Sequence, residues 1–382
     1  MYSYHADLIF KIDAILLCAS IILTLLILLY ILVKNHNDAL RDKKLLEIKH
    51  SLYTLFQSGL QDKTCLGTIS KATVQQFLDI KGNRRRDAVF FNQSEQELFK
   101  ECFIHSDTLK RAEETAGSSR NRWHRIEAIL ALGYAGKEGA VRIIREALND
   151  KDPDIAYFSA IALGQLKTEA SADALLDALR KTPALRRKIA SILEAFPFIT
   201  DKVMAMAEEK DPVIRFWAIK LISKLKPGRY RGKIEAFAED PSDDVRAAAC
   251  ECLGVIGDEG SEPVLVKHLK DDAWFVRMYA VRALSKTLGE RSIPIILKCM
   301  HDGSLYVLGS IKTAIKDNIL TALPYFKNVL DGGDSFARSM FLEAIESSLM
   351  ETEDASMRRK ILDSLRQIDG TIAEQMEKWL NE

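Results

Sequence analysis

The chain has 382 residues, and its 54 basic side chains balance 54 acidic ones. That balance excludes the basic excess that marks a dedicated nucleic-acid binder. Nine prolines and 19 glycines leave no room for a long disordered tract. Six cysteines without a CxxC pair argue against a disulfide framework and read as a reduced compartment.

In chain order, residues 1–13 read as a short extracytoplasmic N-terminus. Residues 14–33 carry no charge and are mostly Leu and Ile, long enough to cross a hydrocarbon layer of about 30 Å as a helix. A cleaved signal peptide fits less well, because Asp7 and Asp13 precede the run and no small-x-small site follows it. Only Lys11 lies before the span, whereas Lys34, Arg41, Lys43, Lys44 and Lys49 follow it. This asymmetry predicts a single pass through the cell (inner or plasma) membrane, with the long C-terminal part in the cytoplasm.

Residues 34–120 read as a juxtamembrane helical adaptor or cap. Leu45, Ile48, Leu52 and Leu55 follow a 3-4-3 spacing. That seam serves either a homodimer through residues 45–55 or packing on the next helices. Two further helices are expected over 70–80 and 94–104, the second opened by a Ser94/Glu97 capping box. Between them Arg84, Arg85 and Arg86 form a basic loop, either a contact for anionic lipid or a solvated turn.

From residue 121 the chain repeats. His124, Ile155, Leu185, Ile214, Val245, Val276, Val307 and Ala337 recur every 29 to 31 residues. The next position holds Arg125, Arg186, Arg215, Arg246, Arg277 and Arg338, with Ala156 and Leu308 as exceptions. Eight residues beyond each anchor stands Leu132, Leu163, Leu193, Ile222, Leu253, Leu284, Ile315 or Ile345. With mostly small residues seven beyond the anchor, these offsets place an apolar stripe on one helix face. A second helix is expected after each break, over 140–148, 172–179, 263–269, 294–300 and 324–330, the last three each opened by a proline. Acidic turns such as Asp150 to Asp152, Asp240 and Asp271 to Asp272 close the repeats and can cap the helix that follows.

The pattern Asp243, Val245, Arg246, Leu253, Gly254, Gly257 resembles the HEAT-repeat family in its short bacterial form, as does Arg125, Leu132, Gly133, Gly136. The resemblance covers residues 121–368, about eight repeats, with residues 369–382 as a capping helix. The fold class implied is all-α, a transmembrane helix followed by an α-α superhelix. The third, seventh and eighth repeats lack the glycine, and Leu308 replaces the arginine. By resemblance, the arginine and aspartate slots form ion pairs between repeats. No repeat can bury its stripe alone, so stacking creates both the core and an extended binding surface.

Catalytic signatures are missing. No histidine is followed by Glu, unlike the HEAT-like metal hydroxylases, and there is no phosphate-binding loop, GxSxG or HExxH motif. Cys250 and Cys252 read as core thiols rather than a metal pair. No catalytic residue, cofactor or metal ligand is assigned. Candidate partner-binding residues are Lys224, Lys226, Arg229, Tyr230, Arg231 and Lys233, a cluster suited to an acidic partner or to plain solvation. Phe158, Trp217 and Tyr279 flank the stripe as core packing or as a partner-facing row. The function expected is a membrane-anchored protein–protein interaction scaffold for a membrane enzyme or signalling complex. The alternatives are a lyase or modifying enzyme of HEAT-like type, or a binder of anionic lipid or nucleic acid.

Overall fold

A computed structural model describes residues 107–381 apart from 138, 226 and 227, together with isolated positions 34, 40, 43 and 47. The expected membrane span at 14–33, the N-terminus at 1–13, the seam at 45–55, the helices at 70–80 and 94–104 and the loop Arg84 to Arg86 lie outside the described residues, as does Lys226. Among the described residues the regular structure is helical with no strand, and no helix is long and apolar enough to cross a membrane.

The chain divides between Ala174 and Leu175 into two compact parts, a boundary that falls inside the helix Glu169–Lys181. In the N-terminal part the helix Asp107–Ser118 buries Leu109, Ala112 and Ala116 and packs on Arg122–Ala135, which packs on Pro153–Leu166. Asn121 opens Arg122–Ala135 by accepting from the N–H groups of Trp123 and His124. Asp152 caps the next helix, where Pro153 occupies the first turn, a position whose N–H would have no intrahelical partner.

In the C-terminal part the first helices of successive repeats stand side by side. Pro212–Leu225 packs on Asp243–Ile256, that on Trp274–Leu288, that on Leu305–Asp317, and that on Ser335–Glu351. The second helices Arg231–Phe237 and Glu262–His268 each pack on the first helix of the following repeat. The stripe read from the sequence is the core: Leu253, Leu284, Ile315 and Ile345 are fully buried, as are Ala249, Ala280 and Ile311. Each such Leu or Ile adds about 1.5–3 kcal/mol of transfer free energy. Ala355–Ile368 follows, and Gly370–Asn381 packs against it.

Two local details depart from expectation. Residues 324–330 were expected to open a helix on Pro324, but the helix is Ile319–Asp331 with Pro324 inside it. An internal proline removes one backbone bond. Burial of Ile319, Ala322, Leu323 and Phe326 on one face outweighs that loss. In the sixth repeat the second helix shrinks to Ile293–Ile296 followed by a 3-10 turn over Leu297–Cys299.

Candidate interaction surface

Four arginines of the repeat signature, Arg125, Arg215, Arg246 and Arg277, fold back onto turn aspartates. Arg277 donates to both carboxylate oxygens of Asp302, at 2.6 and 2.9 Å, and to the carbonyls of Asp271 and Asp272, at 2.7 and 3.0 Å. Arg246 does the same to Asp271, at 2.8 and 2.9 Å, and Arg215 to Asp240, at 2.8 Å twice. Arg125 reaches Asp150 at 2.6 Å in the N-terminal part. Each aspartate also accepts from a backbone N–H two residues on, Asp240 from Ser242, Asp271 from Ala273 and Asp302 from Ser304. One carboxylate therefore ties the arginine of the previous repeat and shapes the turn that starts the next helix. The side chains of Asp240, Asp271 and Asp302 are each 8% exposed.

Electrostatics follows from this geometry. The hydrogen bond from Arg277 holds the Asp302 carboxyl below the usual carboxylate range despite burial. Burial pushes Asp271 upward, but the bonds from Arg246 and Ala273 more than offset it and leave it lowered. The hydrogen bonds to their aspartates raise Arg215, Arg246 and Arg277 above the ordinary arginine value.

The ladder skips in the seventh repeat, where both slots change. Leu308 occupies the arginine slot of the seventh repeat, and Gly333, the same 25 residues on, occupies the aspartate slot. In the third repeat Arg186 instead donates to the carbonyls of Leu179 and Arg180, at 3.0 and 3.1 Å.

A groove of about 370 Å³ opens between the turns of the fourth-to-fifth and fifth-to-sixth repeats, lined by Glu239, Asp240, Arg246, Lys267, His268, Lys270, Asp271 and Asp272. Most of its charges are already spent: Asp240 on Arg215, Asp271 on Arg246, and Glu239 on Lys267 at 2.6 Å. His268 is buried beneath it, with Nδ1 2.8 Å from the Val264 carbonyl and Nε2 2.6 Å from that of Ala238. Nothing in the spacing around His268 marks it as the tie between the last turns of two second helices. A neutral imidazole donates its single ring N–H to one of these two carbonyls, and a phenylalanine can donate to neither. His268→Phe is expected to lower stability by about 1–3 kcal/mol in urea unfolding, whereas a neighbouring exposed substitution such as Lys270→Ala leaves it unchanged.

The structure disperses the charge of the fourth-repeat cluster among acidic neighbours. Arg229 pairs with Asp201 at 2.8 Å and lies over the Tyr230 ring, Arg231 pairs with Asp258 at 2.9 Å, and Lys233 pairs with Glu208 at 2.9 Å. Lys224 is exposed. Phe158, Trp217 and Tyr279 are half-buried. Exposed large apolar side chains include Trp123, Phe198 and Met350, and four more, Trp274, Leu305, Tyr306 and Phe336, lie at the N-terminal ends of three successive first helices. Sequence reasoning missed these four because they precede the periodic stripe.

Cys250 and Cys252 are both fully buried, and burial pushes each thiol up to about 12, which removes thiolate chemistry. Among the described residues no group of three or more His, Cys, Asp or Glu side chains is placed to hold a metal ion.

Helix pairs that stack through a shared apolar stripe and a ladder of turn-to-turn ion pairs define an α-solenoid. In agreement, a family model described as HEAT repeats matches residues 111–196 and 232–316, so the chain contains HEAT repeats. Among solved structures, the karyopherin Kap121p bound to the extreme C-terminus of the protein phosphatase Cdc14p is 13% identical, with a TM-score of 0.52 over 88% of this chain and 45% of that one. That likeness is one of fold. The Escherichia coli protein YibA is 20% identical over 73% of this chain and 98% of its own, with a TM-score of 0.32. Human deoxyhypusine hydroxylase is 17% identical over 67% of this chain and 100% of its own, with a TM-score of 0.29. No curated protein matches the chain.

Proposed function

We propose that this protein is a membrane-anchored scaffold that gathers a protein partner on its HEAT repeats. The observation that supports it most is the succession of first helices tied turn to turn by Arg215–Asp240, Arg246–Asp271 and Arg277–Asp302. Such a stack holds a broad surface in fixed register, which lowers the ordering cost of binding an extended partner. The uncharged run at 14–33, followed by basic residues, supports an anchor with the repeats on the cytoplasmic side. Anchoring would concentrate the partner at the membrane without any new contact.

The test is photo-crosslinking in intact membranes from crosslinkers placed on the first helices, followed by identification of the captured protein. A discrete partner, lost when residues 14–33 are replaced by a soluble tag, is the expected result. Absence of any saturable protein partner would sink the scaffold reading. The fourth-repeat cluster is checked in the same assay. An acidic partner there would displace Asp201 and Asp258 from Arg229 and Arg231, so reversing both arginines to Glu would abolish capture. Unchanged capture would remove the cluster from the surface.

A further inference from the structure

Scattered exposed apolar residues are ordinary on a protein surface. Four of the exposed ones here are not scattered. Trp274 is 40% exposed, Leu305 80%, Tyr306 66% and Phe336 47%, and they open the first helices of the sixth, seventh and eighth repeats. Trp274 and Tyr306 stack with ring centroids 4.7 Å apart, so the strip is continuous from the sixth repeat to the seventh. Tyr and Trp are the side chains that most often anchor interfaces, because they bring much area at low entropic cost.

The surroundings select the partner's charge. The three turns that carry these residues hold Asp271, Asp272, Asp302, Asp331 and Asp334, while Lys270 is their one lysine or arginine. Arg246 and Arg277 occupy Asp271 and Asp302. Asp334 caps its own helix through the Ala337 N–H and meets His301 at 3.0 Å. Asp272 and Asp331 are exposed and make no ion pair among the described residues. Asp272 lines the polar groove and stands two residues before Trp274 in the chain. Five carboxylates against four cations, with Arg338 in the signature slot of the eighth repeat counted beside Lys270, Arg246 and Arg277, leave a small residual negative charge beside the aromatic rings. Both features attract Arg and Lys, the first by charge and the second through the ring quadrupole.

We infer that this edge docks an extended segment of a partner protein in which basic residues alternate with apolar ones. Apolar side chains cover Leu305 and Phe336, a guanidinium stacks on Trp274 or Tyr306, and a second cation meets Asp272. This inference rests on the scaffold reading and names the chemistry and the place of its contact.

The test uses the full chain in mild detergent and fluorescein-labelled synthetic peptides that alternate Arg with Leu, Glu with Leu, or Ser with Gly, with micelles alone as the background. Saturable binding of the Arg–Leu peptide is expected, weakened about tenfold or more by Trp274→Ala and by Leu305→Ser, and weakened by salt. Both variants keep the helical circular dichroism, since the side chains are exposed. Equal binding of the Glu–Leu peptide, no binding of any peptide, or binding indifferent to both variants overturns the inference. So does concentration-dependent self-association that Leu305→Ser abolishes, which would assign the edge to a second copy. Crosslinked capture of a membrane partner that persists in Leu305→Ser overturns this inference and leaves the scaffold reading standing. Loss of capture in that variant supports both.

Discussion

Asp302→Gly is expected to destabilise the fold by about 1.5–3 kcal/mol, the cost of leaving a half-buried guanidinium without its carboxylate while its bonds to the Asp271 and Asp272 carbonyls remain. The pair is bidentate, and Arg277 and Asp302 are 18% and 8% exposed in their side chains. The double variant Arg277→Leu/Asp302→Gly is expected to recover most of that loss. It copies what the seventh repeat already carries, Leu308 in one slot and Gly333 in the other. Recovery stays short by about 1 kcal/mol, because Asp302 also accepts from the Ser304 N–H and shapes the turn before its helix. Urea unfolding of the two single variants and the double variant gives the coupling directly. Additive losses would show that the ladder does not act as pairs.

The same carboxylates set a pH dependence. The Asp302 and Asp271 carboxyls are held below their ordinary value of about 3.9. The unfolded chain therefore takes up protons first as pH falls. The stabilisation is complete above about pH 5 and is lost progressively below it, as pH drops through the unfolded-state and then the folded-state values. Asp302→Asn should flatten that acid limb while lowering stability at neutral pH. An unchanged acid limb would contradict the assignment.

The second large effect concerns a single methyl group and its sign. Gly254 lies on Asp243–Ile256 where a Cβ would stand 2.7 Å from the Ala283 Cα and 2.8 Å from its Cβ. The obstruction is backbone, so the two helices must separate. Gly254→Ala is expected to cost about 1–3 kcal/mol and Gly254→Val more, although both residues favour helix over glycine. Gly309, inside Leu305–Asp317, has nothing within 4 Å of the same atom. Gly309→Ala is expected to raise stability by about 1 kcal/mol through propensity alone. Thermal unfolding of the two alanine variants decides the matter, and shifts of the same sign would refute the close-approach argument.

The sequence by itself determined the succession of helices, the buried stripe and the arginine and aspartate slots of the ladder. Those rest on local periodicity and on a repeat length that returns Arg246 to the same place as Arg215 and Arg277. The seventh repeat shows how far this reaches, since the joint loss of arginine and aspartate is written in the sequence. Which slots pair was not determined there: Asp211 stands 25 residues beyond Arg186, which bonds the Leu179 and Arg180 carbonyls instead. Tertiary packing decided the rest. Pro324 sits inside a helix because burial of Ile319 and Phe326 outweighs one lost backbone bond. The charge of Arg229, Arg231 and Lys233 is largely met by Asp201, Asp258 and Glu208, residues 25 to 28 positions away that no local pattern connects to them. His268 became a structural tie only when the neighbouring repeat brought the Ala238 carbonyl to its ring. Trp274, Leu305, Tyr306 and Phe336 lie outside the periodic stripe, and only the stacking of three repeats gathers them into one edge. A periodic signal records what each repeat shares with the others. A binding surface is made from the residues in which they differ, and their neighbours are chosen by the fold.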